Sequence, residues 1–175
     1  MNATLQQLQS EITYSLRGLD ATQTQLQPSS HTDKWTIQQI IEHLLLTYSG
    51  AEMALNARLA KGRPTRAKPT VFQHIQQFTV CHLGYFPTGR QAPPMVTPAP
   101  TPHPLSGEEL AAATKEHLTR FDVLCTETEQ LFGTSHFANH NVLGPLSTDQ
   151  WRKFQLIHGR HHLKQIAVIR KIHSL

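Results

Sequence analysis

Apolar residues recur every three or four positions over most of this chain, the spacing of amphipathic helices. Leu5, Leu8, Ile12, Leu16 and Leu19 make one stripe. Ile37, Ile40, Ile41, Leu44, Leu45, Tyr48 and Leu55 make a second, and Leu110, Leu118, Phe121, Leu124 and Leu131 a third. Along the last segment, Trp151, Phe154, His158, His162, Gln165, Ile169 and Ile172 step by three or four, so two histidines share a face with large apolar side chains. Helix starts are marked as well. A Ser or Thr followed three residues later by Glu or Gln can satisfy backbone N–H groups that a first turn leaves without partners. Thr4–Gln7, Thr36–Gln39, Thr70–Gln73, Ser106–Glu109 and Ser147–Gln150 fit that pattern. Three of these starts add an apolar pair across the first turn: Trp35 with Ile40, Leu105 with Leu110, and Leu146 with Trp151. The spacing predicts long helices near 4–24, 36–60, 106–132 and 147–173, and a shorter one near 70–83. No sustained alternating run rich in Val, Ile or Thr predicts a strand.

Four long amphipathic helices predict an all-α four-helix bundle, with residues 1–175 as a single domain. Residues 61–105 are then a long crossover between the second and third long helices, carrying the short helix and a proline-rich run. Seven of the eleven prolines fall in PTGRQAPPMVTPAPTPHP, residues 87–104. That stretch cannot be regular helix. It reads as an extended ordered loop over one end of the bundle, or else as a flexible linker.

Composition narrows the functional classes. Mean hydropathy is −0.37 and no run approaches the 18 apolar residues of a spanning helix, so no membrane partner is expected. The first residues lack a signal-peptide core, which makes the cytoplasm the expected compartment. Cys81 and Cys125 stand alone, without a CxxC, so neither a disulfide framework nor a cysteine zinc cluster is expected. A net charge of +4 could attract anions, but Lys and Arg are scattered except in KGRPTRAK, residues 61–68. That run reads as a solvated turn, and no nucleic-acid recognition motif accompanies it.

Twelve histidines invite a search for metal ligands, a common use of neutral imidazole. In IHGRHHLKQI, His158 and His162 are four apart and lie above one another on one helix face, with Cβ atoms about 5–6 Å apart. Two imidazoles so placed can converge on one ion, as in HExxH sites. Their apolar neighbours point them into the bundle, where neutral imidazoles need partners. His161 lies about 100° around the helix from His162, and reads as a nearby proton shuttle or an exposed helix residue. A third ligand has to come from a facing helix. His43, beside the apolar stripe of WTIQQIIEHLLL, is the candidate; Glu42 reads as an exposed charge. Gln165, one turn beyond His162, reads either as a partner for an imidazole or as a polar residue at the bundle end. His136 and His140 are also four apart but sit in a loop-like stretch. His74 and His82 are two turns apart, too far for one ion, and with His117 read as exposed or hydrogen-bonded. A buried HxxxH pair can also consist of hydrogen-bonded core residues without metal.

The pairing of WTIQQIIEHLLL with IHGRHHLKQI resembles the DinB/YfiT-like superfamily of metal-dependent enzymes. The family's Trp…His-Leu motif corresponds to Trp35, His43 and Leu44, and its His-x-x-x-His-x-x-Gln-hydrophobic motif to His158, His162, Gln165 and Ile166. HNVLGPLSTDQWRKFQLIHGRHHLKQI and CHLGYFPTGRQAPPM are similar to one uncharacterised branch, in which a Leu-Gly-Pro-Leu turn leads into the last helix. Asn141 stands where the family often has proline. The resemblance implies a four-helix bundle, often a homodimer, with His43, His158 and His162 holding a divalent metal ion, commonly zinc or nickel. It also implies a small-molecule substrate and, in characterised members, a low-molecular-weight thiol.

The expected function is that of a metal-dependent transferase or hydrolase in which the ion activates a thiol or water. The rival is a non-catalytic bundle with a structural or vestigial metal site and a dimerisation role. There is no GxSxG, phosphate-binding glycine loop or paired-carboxylate motif, and no general base stands out. Imidazole ligation alone does not choose among zinc, nickel, copper and iron.

Overall fold

A computed structural model describes residues 1–28, 34–86, 89, 91–100, 103–134 and 138–175. Its long helices are α1 (Ala3–Leu16), α2 (Ile37–Ala60), α4 (Gly107–Phe132) and α5 (Thr148–Ile172), with the short α3 (Val71–Gln77) in the crossover. Helix α1 packs on α4 and α5, and α2 packs chiefly on α4 and also on α5. The architecture is the expected all-α bundle. Leu5, Leu8, Ile12, Ile41, Leu44, Tyr48, Leu118, Phe121, Ile166 and Ile169 fill its core. No described helix is long and apolar enough to cross a membrane.

Four of the five expected capping boxes form, at Thr36, Thr70, Ser106 and Ser147, with both reciprocal hydrogen bonds in each. The fifth does not. Asn2 caps α1 instead, its side-chain oxygen accepting from the Thr4 N–H at 2.9 Å, so the helix starts before Thr4 could act as its cap.

The first helix also stops earlier than its apolar stripe. It ends at Leu16, and Gly18 turns the chain with φ +74°. The Asp20 carboxylate then accepts from the N–H groups of Thr22 and Gln23, both at 2.8 Å, and starts a separate 3-10 turn at Gln23–Gln25. Leu19 and Thr24 remain buried. The apolar spacing therefore continues through a turn that periodicity alone reads as helix. Gly107, the first residue of α4, sits against this turn. A Cβ there would lie 2.1 Å from the Leu16 carbonyl oxygen, so only glycine allows the approach.

Two apolar stripe positions face solvent. Leu131 and Ile172 are exposed because α4 and α5 run beyond α1. Asn2 meets Asp122 of α4 at one end of α1, and Arg170 of α5 reaches the Ser15 and Arg17 carbonyls at the other.

The chain contains strands where none were expected. β1 (Ala138–His140) and β2 (Gly144–Leu146) pair antiparallel, with Ala138 opposite Leu146 and His140 opposite Gly144. Three-residue strands are too short for an alternating pattern to show. Side-chain chemistry holds the turn: His140 Nδ1 accepts from the N–H groups of Val142 and Leu143, each at 3.1 Å. His140 is thus a half-buried hairpin residue, not part of a loop, and His136 lies outside the described residues.

In the crossover, α3 continues as a π-helical turn over Phe78–His82, close to the expected 70–83. The described part of the proline-rich run holds no helix or strand apart from one 3-10 turn, Pro94–Val96. Gln38, fully buried on α2, fastens the crossover to the bundle. Its Oε1 accepts from Gln25 Nε2 at 2.7 Å and from the Leu105 N–H at 2.8 Å, and its Nε2 donates to Glu42 at 2.9 Å and to the His103 carbonyl at 3.1 Å. Cys81 and Cys125 are both free and buried, and burial raises their thiols to about 11 and about 12.

Candidate metal centre

Helices α2 and α5 bring together His43, His158 and His162, all buried. Their spacing explains the convergence. His158 and His162 stand one turn apart on the inward face of α5, and His43 faces them from the second turn of α2. His43 Nε2 lies 3.3 Å from His158 Nε2, which lies 3.1 Å from His162 Nε2. The three potential ligand atoms all lie within 4.8 Å of one another. Nitrogens about 2.0–2.1 Å from one tetrahedral ion stand on the order of 3.3 Å apart, so the observed spacings fit a shared ion.

The outer nitrogens determine what the inner ones can do. His43 Nδ1 is 2.7 Å from the Val96 carbonyl oxygen, and His162 Nδ1 is 2.9 Å from Gln165 Oε1. Each partner is an acceptor, so each Nδ1 carries the proton and each Nε2 presents a lone pair. These contacts are of the type that fixes ring orientation in histidine metal sites. The buried Nδ1 of His158 has no hydrogen-bond partner. With at most one proton on His158 Nε2, a single N–H has to serve two lone pairs. A cation engages all three.

The electrostatics select the neutral ligands a metal requires. Burial pushes His158 well below the ordinary histidine range, reinforced by the neighbouring His162 and His43. Burial likewise lowers His162 to about 3, with His43 adding to the shift. His43 is lowered by burial despite the opposing effect of the Val96 carbonyl. Among the described residues the group that could share one ion contains only these three histidines, so no carboxylate would neutralise the ion's charge.

Aromatic rings enclose the cluster. Trp35 lies 4.9 Å from His43 and 6.2 Å from His162, centroid to centroid. Phe154 stacks on His158 at 5.4 Å, and Phe86 packs 4.9 Å from His158 and 5.0 Å from His161. His161 itself is half-buried at the rim and does not join the cluster. Glu42 is half-buried and hydrogen-bonded to Gln38, not the exposed charge expected. His74 and His82 are exposed, and His117 bonds Glu52 at 3.1 Å. Gln165 is exposed yet bonded to His162, and therefore takes the partner role of its two expected readings. Phe86 and the Val96 carbonyl were not expected at the site. A backbone oxygen 53 residues from His43 carries no sequence signal, because a loop's return path determines its position.

The family comparison agrees with this geometry. Searches of curated proteins and of solved structures return no match. A family model described as the DinB superfamily matches residues 4–166, a span that takes in α2, the crossover and the histidines of α5. The chain belongs to the DinB superfamily, and its three buried histidines form a group that could hold a metal ion.

Proposed function

We propose that His43, His158 and His162 bind one divalent ion, zinc or nickel, and that the protein is a transferase or hydrolase acting on a small electrophile. The observation that carries this reading is the convergence of three neutral Nε2 atoms with two of the opposite Nδ1 atoms already engaged as donors. An ion held by three uncharged ligands keeps its full charge and supplies Lewis acidity sufficient to make water or a thiol nucleophilic near neutral pH. The protein's own groups do the rest. Val96 and Gln165 hold two imidazoles in the ligating tautomer, while Trp35, Phe154 and Phe86 keep bulk water from the rings. His161, half-buried at the rim and lowered by burial, is the nearest further imidazole able to relay a proton to solvent. A low-molecular-weight thiol is the proposed co-substrate.

Metal analysis of the protein as purified, beside His158→Ala, tests the site; equal metal content in both would remove His158 from it. Turnover of small electrophiles by the metal-loaded protein, with and without added thiols, tests the chemistry. A second reading rests on the deep burial of all three rings, which suits a structural ion. Chelation that lowers the melting temperature strongly in a protein inactive with every thiol and electrophile pair would favour it.

A further inference from the structure

Helix α3 is amphipathic in the reverse sense. Val71, Phe72, Ile75 and Phe78 are each between 56% and 80% exposed, and together they form one stripe at helical spacing. The buried side is held by an amide. Gln77 Nε2 donates to the carbonyl oxygens of Leu143 and Pro145 at 2.8 and 2.9 Å, and Gln77 Oε1 accepts from Gln150 at 3.4 Å. Gln73 packs so closely on Gly144 that a Cβ there would lie 2.5 Å from its amide. The helix cannot roll its apolar stripe inward without leaving the Leu143 and Pro145 carbonyls unpaired in the interior.

Charge is segregated in the same segment. From residue 53 to residue 107 there is no Asp or Glu, while six Lys and Arg lie there; the rest of the chain carries ten basic and twelve acidic side chains. Lys61, Arg63, Arg66 and Lys68 precede α3, are all exposed, and have no hydrogen bond or ion pair among the described residues. Water-facing aromatics beside unpaired cations match the composition of helices that lie in a bilayer interface.

We propose that α3 and the basic segment before it form a docking face for an anionic lipid surface. Such a surface offers phosphate to the four cations and, about 5–10 Å deeper, an apolar layer for Phe72, Ile75 and Phe78. A second copy fits less well, because residues 53–107 offer no anion to meet their own cations. Nucleic acid would neutralise the cations but leave Val71 and Ile75 in water. No described helix is long and apolar enough to cross a membrane, and a surface-bound face needs none. The inference is independent of the metal chemistry.

Co-flotation of the full chain with phosphatidylcholine vesicles, with and without phosphatidylglycerol, tests it. Binding is expected only to the anionic vesicles, and should weaken with salt as the Debye length shrinks to about 8 Å at physiological ionic strength. Arg66→Gln with Lys68→Gln should weaken partitioning about fivefold per charge removed. Phe72→Ser with Phe78→Ser should weaken it at least about tenfold, since each loses a large apolar group from the interface. Both double variants alter exposed side chains, so unchanged circular dichroism and melting temperature certify their folds. Three results would overturn the proposal: no binding to anionic vesicles at low salt, equal binding by the phenylalanine variant, or binding that ignores phosphatidylglycerol. A wild-type dimer that the phenylalanine variant dissociates, without vesicle binding by either protein, would overturn it too and reassign the face to self-association.

Discussion

Helix α5 buries two polar clusters, two turns apart, and they are opposites. Around Arg152, charge is matched and nearly every polar atom is paired: Nε donates to Asp122 at 2.9 Å, one terminal nitrogen to Glu129 at 2.7 Å, and the other to Thr126 at 3.5 Å. Asp122 also accepts from the Asn2 N–H at 2.7 Å, and Thr148 donates to Glu129, so α1, α4 and α5 are tied at one point. Around His158 there is no matching charge, three Nε2 atoms face one another, and one Nδ1 has no partner. A buried polar group that its neighbours satisfy holds the fold together; a group that they leave unsatisfied is poised for something from outside.

Removing one side of each cluster should separate these roles. Arg152→Met leaves the buried Asp122 and the partly exposed Glu129 facing each other without a cation, at a cost of about 3 kcal/mol. Urea unfolding should report that loss, while metal content stays that of the wild type. An Arg152→Met protein that melts normally would mean that the network is no tie.

Next in size, stripping a bound metal should lower stability by about 2.7 kcal/mol when the free ion had stood at 100 times its dissociation constant. His158→Ala should lose this metal-dependent increment in calorimetry while keeping a bundle's circular dichroism. Retention of the increment would place the ion elsewhere.

Gln165→Ala touches only the acceptor for His162 Nδ1–H, and the exposed position makes it neutral for the fold. Metal affinity should fall about 10- to 100-fold. A competition titration with a chelator reads this directly, and an unchanged affinity would make Gln165 a bystander.

The last contrast is a matter of slope. In the metal-free protein His162 is held near 3 and His140 near 4, both chiefly by burial, against the ordinary 6.5. The unfolded chain therefore takes up more protons than the folded one as pH falls below about 6.5. Stability is full above that pH and drains away through the folded values, by about 1.4 kcal/mol per pH unit for each histidine. Arg152 bonds Asp122, Glu129 and Thr126 and neither histidine, so Arg152→Met should leave the slope between pH 7 and pH 5 unchanged. Denaturant midpoints from pH 7 down to pH 5 check this.

Much of this contrast could be read along the chain. His158 and His162 declared their common face by spacing, and Trp151, Phe154 and Ile169 declared which way it points. Arg152, one position from Trp151 in the same helix, gave no sign of being buried, because its partners Asp122 and Glu129 stand 30 and 23 residues away. Leu19 was legible as buried but not as part of a turn, since a stripe records which side faces the core and not how the backbone reaches it. The hairpin at 138–146 was hidden by its brevity.

Periodicity and capping determine helices, their inward faces and two of the three candidate ligands, because these are properties of neighbours three or four residues apart. Only the tertiary structure decided that His43 meets the pair, that the Val96 carbonyl orients the His43 ring, and that α3 turns its aromatics outward. Each of those depends on where a distant backbone returns, and the hydrogen bonds and burial that settle it exist only once the helices have packed.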